Sequence, residues 1–541
     1  MLDRYSQKIL IALICIASLL RLISLAWGAP FFFHPDERNI ASAIAGLTYP
    51  NQLNPHFFAY GSLPIYFAFF IGLLKNLVHA TPSIVPITQV SFEDAILILR
   101  TFSAILSVAT VYLIFKIGEL LKDKKTGLIA AFLSTLSIGM IQYAHFGTFE
   151  TWLTFFSALL FYGLLQHHHR PARSTIFLIG ISLGVLISVK ISSVIYLPII
   201  GILFFRKHYP FYKKALSMTA ILLIVILCYV ITNPFAYLDS HSFLNSISYE
   251  SNVALGKLVV FYTGEFLSTS PITFPIAHIY PFLLGPVLFM LFPLSLLIIL
   301  RSLKNKFHIP LAYLLGFLAI TFFSQTFLFA QWTRYFIPTL PFIYLCLAYA
   351  AGEISDSKIL SRKNFLVASC LISLLCILST FSLIKTAYLD TDSRIQALTF
   401  AHKTIPNTSQ ILSEVYDLGI TPFNQRYPRI LLFNFYDLDN NSPESTVEKY
   451  RELVKDSDYL ILPSQRLYKT RLADPKNFPK GNMIYEEISK SSQFVKIYET
   501  PCDIWCSLLY TGDPVFRLEQ TANIFDRPTV MMYKINHETK H

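Results

Sequence analysis

The chain has 541 residues, 54% of them hydrophobic, 15% aromatic and only 14% charged. Soluble globular chains carry about 25% charged residues, and the mean hydropathy here is +0.51. These values exclude a disordered chain, a nucleic-acid-binding arm and an ordinary soluble enzyme, and they point to a mainly α, polytopic membrane protein. The net charge of +11 is uneven: residues 1–389 carry +13 and residues 390–541 carry −2. The chain therefore divides into a membrane half, 1–389, and a soluble tail, 390–541, of ordinary composition. Excess positive charge beside apolar helices reads as topology and contact with anionic membrane lipids, so no nucleic-acid partner is expected.

A spanning helix needs about 20 mostly apolar residues. The candidates, in chain order, are 9–28, 61–79, 94–117, 127–146, 151–167, 173–189, 191–206, 215–233, 276–300, 309–329, 338–352 and 364–385. Segment 9–28 is too long and undivided for a cleaved leader, so it is expected to be retained. Basic clusters fall at Arg4/Lys8, Lys122/Lys124/Lys125, Arg170/Arg173, Arg206/Lys207/Lys213/Lys214, Arg301/Lys304/Lys306 and Lys358/Arg362/Lys363. Placing all of them in the cytoplasm works only if 61–79 does not change sides. That segment is therefore read as juxtamembrane or re-entrant, which leaves about eleven crossings. The N-terminus is then cytoplasmic and the tail extracytoplasmic, and two long loops, 29–93 and 234–275, face outward. Long loops are uncommon unless functional, so the working face is expected outside, in a multi-pass protein of the plasma (inner) membrane.

Asp36 and Glu37 follow the first apolar segment, ahead of a stretch from Arg38 to Leu47 that is apolar at helical spacing. An interfacial helix there sets the acidic pair at its N-terminus, where the helix dipole favours ionised carboxylates. The pair is then either a helix cap or a general base toward a hydroxyl or amine. Glu150, in His145-Phe-Gly-Thr-Phe-Glu150, is a second acid at the outer edge, either catalytic or a solvated loop charge; His145 is a weaker candidate. Lys190 lies between two short apolar segments, and Arg334 lies among aromatics in Gln331-Trp-Thr-Arg334-Tyr335. Cations at membrane depth are rare and tend to be functional, and two of them suit a phosphate; the alternative is snorkelling to headgroups. Lys257 gives a weaker signal of the same kind. Neither G-x-x-x-x-G-K-[ST] nor G-x-G-x-x-G occurs, so a nucleotide-driven step is not expected. No cofactor is called for; His241, Glu265 and His278 leave room for a divalent cation, but no motif fixes one.

At these residues the chain is similar to the GT-C superfamily of membrane glycosyltransferases, in particular the bacterial family-39-like branch related to protein O-mannosyltransferases and aminoarabinose transferases. The similarity covers roughly residues 1–385. It rests on Pro35-Asp36-Glu37 with Tyr60-Gly-Ser-Leu-Pro64-Ile-Tyr66 downstream, on Glu150, on the Gly-rich segment ending in Lys190, and on Arg334-Tyr335-x-x-Pro338-x-x-Pro341. It implies transfer of a sugar from a polyprenyl-phosphate donor to an outer acceptor, whether protein, glycan or lipid, with inversion and no covalent intermediate. It implies Asp36 as base or acceptor-positioning group with Glu37 beside it, and Glu150 as second acid. Tyr60, His145, Lys190, Arg334 and Tyr335 are then the expected substrate contacts. Tyr60-Gly-Ser-Leu-Pro64 departs from the Glu-Lys that aminoarabinose enzymes place before this proline, which argues against aminoarabinose transfer to lipid A. Loop 234–275 is too short for a domain of the MIR type. A transporter or flippase of lipid-linked sugars is the alternative, although no internal repeat is seen and the acids gather at one face.

The tail is expected to be an extracytoplasmic α/β domain. It begins with a helix over Asp392–His402, and strands are expected at Gln410–Glu414, Asp458–Pro463, Phe516–Glu519 and Thr529–Ile535. Five of the seven cysteines sit in apolar stretches and read as small hydrophobes; Cys502 and Cys506 allow a disulfide if the tail meets an oxidising compartment.

Overall fold

A computed structural model describes residues 2–78, 88–205, 210–357, 361–415, 426–440 and 442–537. Of the basic clusters, Arg206, Lys207 and Lys358 lie outside the described residues. The first helix, α1 (Leu2–Leu22), is followed after a looping segment by α2 (Pro35–Ala45) and α3 (Leu63–Val78). Next come α4 (Phe92–Leu121), α5 (Lys124–Thr135), α6 (Ile138–Ala144), α7 (Glu150–His169) and α8 (Arg173–Val189). After Lys190 the chain tightens into a 3-10 segment, Ile191–Phe205, and then forms α9 (Phe211–Thr232). The long loop that follows carries α10 (Phe235–Leu238), α11 (Ser240–Ala254) and α12 (Thr273–His278). The bundle ends with α13 (Tyr280–Asn305), α14 (Ile309–Thr326), α15 (Leu340–Asp356) and α16 (Arg362–Leu383).

Among the described residues, seven helices are long and apolar enough to cross a membrane, and α5 with α6, bent by 58°, makes an eighth. The protein is therefore multi-pass. The expected eleven crossings are reached only if the shorter apolar helices also cross. At about 1.5 Å per residue, the 16 residues of α3 reach about 24 Å, short of the ~30 Å hydrocarbon core. The 17 residues of α8 fall short in the same way, and its helix stops at Lys190.

Packing divides the helices. In the 18-residue window that represents Thr333–Asp356, which contains α15, 89% of the residues are buried, against 17% in that of Phe211–Thr232. The first is the axis of the bundle and the second is left to lipid. Arg21 ties α1 inward. It is fully buried and donates to Ser107 Oγ at 2.8 Å and to the carbonyl oxygens of Ser134 at 2.8 Å and Thr135 at 3.2 Å. Carbonyls left open at the end of α5 so gain a charged donor.

The tail opens with α17 (Ser393–Thr404) and builds a five-stranded sheet from β1 (Ile411–Glu414), β2 (Ile430–Phe433), β3 (Tyr459–Leu462), β4 (Phe494–Glu499) and β5 (Met531–Ile535). The order is β2-β1-β3-β5-β4. The first three strands are parallel, and β5 runs antiparallel to β3 and β4. Two strands not foreseen from sequence, β2 and β4, sit at the edges, where half-exposed side chains blur the apolar signal. The strand expected at Phe516–Glu519 does not form: Glu519 is drawn into the junction with the membrane half and opens a short 3-10 turn, Gln520–Ala522. Cys502 and Cys506 are joined as a disulfide.

Candidate active site

Between the bundle and the tail lies a cavity of about 740 Å³. Its walls include Asp36, Tyr60, Lys190, Glu250, Arg334 and Tyr335. A smaller cavity of about 40 Å³ adjoins it at Lys190, Arg334 and Tyr335 and is also lined by Glu150.

Each side chain arrives by a different route. Pro35 opens α2, a position where its missing N–H is not needed, and Asp36 follows in the first turn facing the cavity. The chain brings Tyr60 in by a close crossing: Gly61 donates to the Val189 carbonyl at 2.9 Å, and a Cβ on Gly61 would stand 1.8 Å from the Ser188 carbonyl oxygen. Only glycine permits that approach. Asn233 fixes the same crossing by accepting from the Ser62 N–H at 2.7 Å. Lys190 is thereby set at the end of α8, its ammonium 4.2 Å from the Tyr335 ring centre and 5.9 Å from that of Tyr60. Rings at these distances stabilise a cation by about 0.5–2 kcal/mol.

Arg334 sits in the 3-10 turn Thr333–Thr339 that leads into α15. Its guanidinium donates to the Asp36 carboxylate and lies 4.9 Å from the Trp332 ring centre. Its Nε has no partner among the described residues. Burial, the largest single influence, pushes the Asp36 carboxyl up, but Arg334, His34 and Arg466 together outweigh it, and the group is held below the ordinary carboxylate range. Glu150 begins α7, is buried, and leaves Oε2 without a partner among the described residues.

Two residues expected in the site stand elsewhere. Glu37 turns away from its neighbour Asp36 and is fully buried, paired through both oxygens with Arg100 at 2.9 and 2.6 Å. The Gly147 N–H donates to it as well, and Arg100 also reaches the carbonyls of Leu25 and Trp27. Consecutive helical residues point about 100° apart, so only one of the pair can face the cavity. His145 is buried, stacked on Tyr388 at 3.8 Å, with its ring nitrogens on the Ile141 and Ile23 carbonyls; it does not line the cavity. Lys257 is exposed and lines neither cavity.

No group of three or more His, Cys, Asp or Glu side chains is placed to hold a metal ion among the described residues. His241, Glu265 and His278 in particular do not converge: Glu265 pairs with Lys469, and His278 Nδ1 meets the Arg517 carbonyl. These residues do not fit a divalent cation, and no step is assigned to one.

Sequence reasoning missed Glu250 on α11, and it missed Arg466, Thr521 and Phe525 of the tail, all of which line the large cavity. Burial raises the Glu250 carboxyl, and Arg334 and Lys190 offset part of the rise. Glu250 is a lone acid on a polar amphipathic helix, and the tail residues have no motif. Only the fold brings them to the site.

Residues 64–245, about a third of the chain, match the family model of dolichyl-phosphate-mannose-protein mannosyltransferases. The fold resembles the archaeal oligosaccharyltransferase AglB from Archaeoglobus fulgidus, solved with an inhibitory peptide and a dolichol-phosphate, at 14% identity and TM-score 0.53. That alignment covers 92% of this chain and 73% of that one. The same enzyme tethered to an acceptor peptide aligns at 14% identity and TM-score 0.54, covering 92% and 72%. ArnT from Cupriavidus metallidurans bound to undecaprenyl phosphate aligns at 10% identity and TM-score 0.48 over 96% and 97% of the two chains. No curated protein sequence matches. The overall architecture, a polytopic helical bundle followed by a C-terminal domain, is therefore similar in fold to the solved oligosaccharyltransferase.

Proposed function

We propose that the protein transfers a sugar from a polyprenyl-phosphate carrier to a hydroxyl-bearing acceptor at the outer face of the plasma membrane, with the N-terminus cytoplasmic and the tail outside. Residues 1–389 form the transferase bundle, and the tail, 390–541, closes over it. One observation carries the reading: a carboxylate, Asp36, and two cations, Lys190 and Arg334, meet in one cavity at the rim of an apolar bundle. The named relatives act as transferases, and nothing favours a flippase.

The chemistry follows from the charges. The acceptor oxygen attacks the anomeric carbon from the face opposite the phosphate, that carbon's bond to the phosphate oxygen breaks, and the configuration inverts. Lys190 offers a point charge and Arg334 a second donor to the departing phosphate. Arg334, shared with the phosphate, relaxes its hold on Asp36, whose affinity for a proton rises; the acceptor proton passes to that carboxylate. Glu150 faces the same two cations and keeps them oriented before the carrier enters.

The test is direct. The full-length protein in lipid nanodiscs, given a polyprenyl-phosphate mannose and a membrane extract as acceptor, should release polyprenyl phosphate and glycosylate the extract. Movement of the intact donor across the bilayer without bond cleavage would refute the reading.

A further inference from the structure

The tail does more than rest on the bundle, because one of its carboxylates is built into the support of Arg334. Glu519 is fully buried. It accepts from the Thr333 N–H at 2.9 Å and from the Thr333 hydroxyl at 2.7 Å. The Thr521 N–H at 2.8 Å and the Thr521 hydroxyl at 2.5 Å complete a set of four donors on one carboxylate. Its own N–H donates to the His278 carbonyl at 3.1 Å.

Thr333 is the residue before Arg334 and the first of the 3-10 turn that aims the guanidinium at Asp36. The backbone N–H of such a first residue has no partner within its own turn. Glu519 supplies that partner from another domain, 186 residues away in sequence. A neutral acceptor would satisfy the same donors less strongly, since hydrogen bonds to an ionised group are about twice as strong as neutral ones.

We propose that Glu519 is a positioning residue: by gripping Thr333 it fixes where the Arg334 guanidinium stands, so that Asp36 and the carrier phosphate are met in one geometry. The inference rests on the proposed function, in which Arg334 receives that phosphate. It makes the soluble domain part of the donor site although Glu519 touches no substrate. A neighbouring staple that makes no hydrogen bond to Thr333 gives a comparison. Glu265 pairs with Lys469 at 2.5 Å and accepts from the Gln520 N–H at 2.9 Å. It joins the same two domains without touching the Arg334 turn.

The experiment uses the full-length protein in nanodiscs, undecaprenyl phosphate as probe and undecaprenol as its uncharged control. Equilibrium binding is read for the wild type, Glu519→Ala, Glu519→Gln and Glu265→Gln. The wild type should prefer the phosphate over the alcohol. Glu519→Ala should weaken phosphate binding at least tenfold, leave undecaprenol binding unchanged and lower kcat. Glu519→Gln keeps one acceptor oxygen and should fall between; it carries the test if the alanine variant does not fold. Glu265→Gln should lower the unfolding temperature without changing phosphate preference. Equal loss in Glu519→Ala and Glu265→Gln would reduce Glu519 to domain docking and overturn the proposal. So would wild-type phosphate preference in both Glu519 variants. A wild type with no preference for the phosphate would instead refute the reading of Arg334 itself.

Discussion

The Arg334 guanidinium donates to the Asp36 carboxylate across 298 residues of sequence, joining the turn before α15 to the first turn of α2. An acid held this low is a weak base at rest, so its partner has to be drawn away for a proton to be taken. In the proposed reaction the pair would couple phosphate binding to base strength. Asp36→Asn keeps the shape and removes the proton acceptor. It should cut transfer by about 10²- to 10⁴-fold while donor affinity holds or rises, because Arg334 loses the carboxylate that competes with the phosphate. Single-turnover release of polyprenyl phosphate, followed beside equilibrium donor binding, checks both halves.

Lys190 stands between the two rings of Tyr335 and Tyr60. Lys190→Met keeps the length and the packing but deletes the charge. Donor binding should weaken about tenfold or more, and its salt dependence should flatten. Tyr335→Leu removes one ring of the cradle at a cost of about 0.5–2 kcal/mol, so its effect on donor binding should be the smaller. A Lys190→Met protein with wild-type donor affinity would take Lys190 out of the phosphate site.

How far this was legible in sequence can be followed residue by residue. Lys190 and Arg334 stood out because a cation in an apolar setting is costly and so is informative wherever it occurs. Asp36 and Glu37 could not be separated, because which of two neighbours faces a cavity depends on how the helix is rotated against its surroundings. That rotation is set by Arg100 on α4 and by Gly147, and neither carries a local signal. His145 looked polar at a rim, yet it caps carbonyls inside the bundle. Arg466 and Glu519 were invisible because ordinary charges in a soluble domain gain meaning only from what they dock against. The tail's central strands were readable from their runs of apolar residues. Phe516–Glu519 was misread because a short alternating run looks the same in a strand and in a docking segment.

The Glu37–Arg100 pair makes a prediction about stability rather than chemistry. Both side chains are fully buried. Removing one partner from such a pair leaves an uncompensated charge and costs about 3–5 kcal/mol. Glu37→Leu should therefore lower the unfolding temperature sharply, and adding Arg100→Leu should recover part of the loss. Thermal unfolding in nanodiscs separates this from the Asp36→Asn protein, which should melt near the wild type.

Arg466 lines the large cavity from the tail side, and its Nε donates to Gln520 Oε1 at 3.2 Å. Gln520 is itself fixed, donating through its side-chain amide to the Tyr262 carbonyl at 3.0 Å. A braced cation on the wall that the soluble domain provides suits the acceptor rather than the lipid. Arg466→Ala should raise the KM for acceptor several-fold and leave undecaprenyl phosphate binding unchanged. Equal loss of both would place Arg466 with Lys190 and Arg334 instead.

Within the tail, Glu414 ends β1 fully buried and accepts from the Tyr485 hydroxyl. Burial pushes its carboxyl up to about 8, against a smaller opposing pull from Tyr485 and Arg471. The folded domain therefore holds a proton that the unfolded chain releases near the usual 4.5. Its contribution to stability is complete below that value and is lost as pH rises through about 8. Over this window the slope approaches about 1.4 kcal/mol per pH unit. Glu414→Gln keeps the size and the acceptor oxygen and has no proton to lose. The variant should gain on the wild type as pH rises from 5 to 8, read as a narrowing or reversal of the gap in unfolding temperature. A gap that stays constant across that range would show that Glu414 is already ionised in the folded domain.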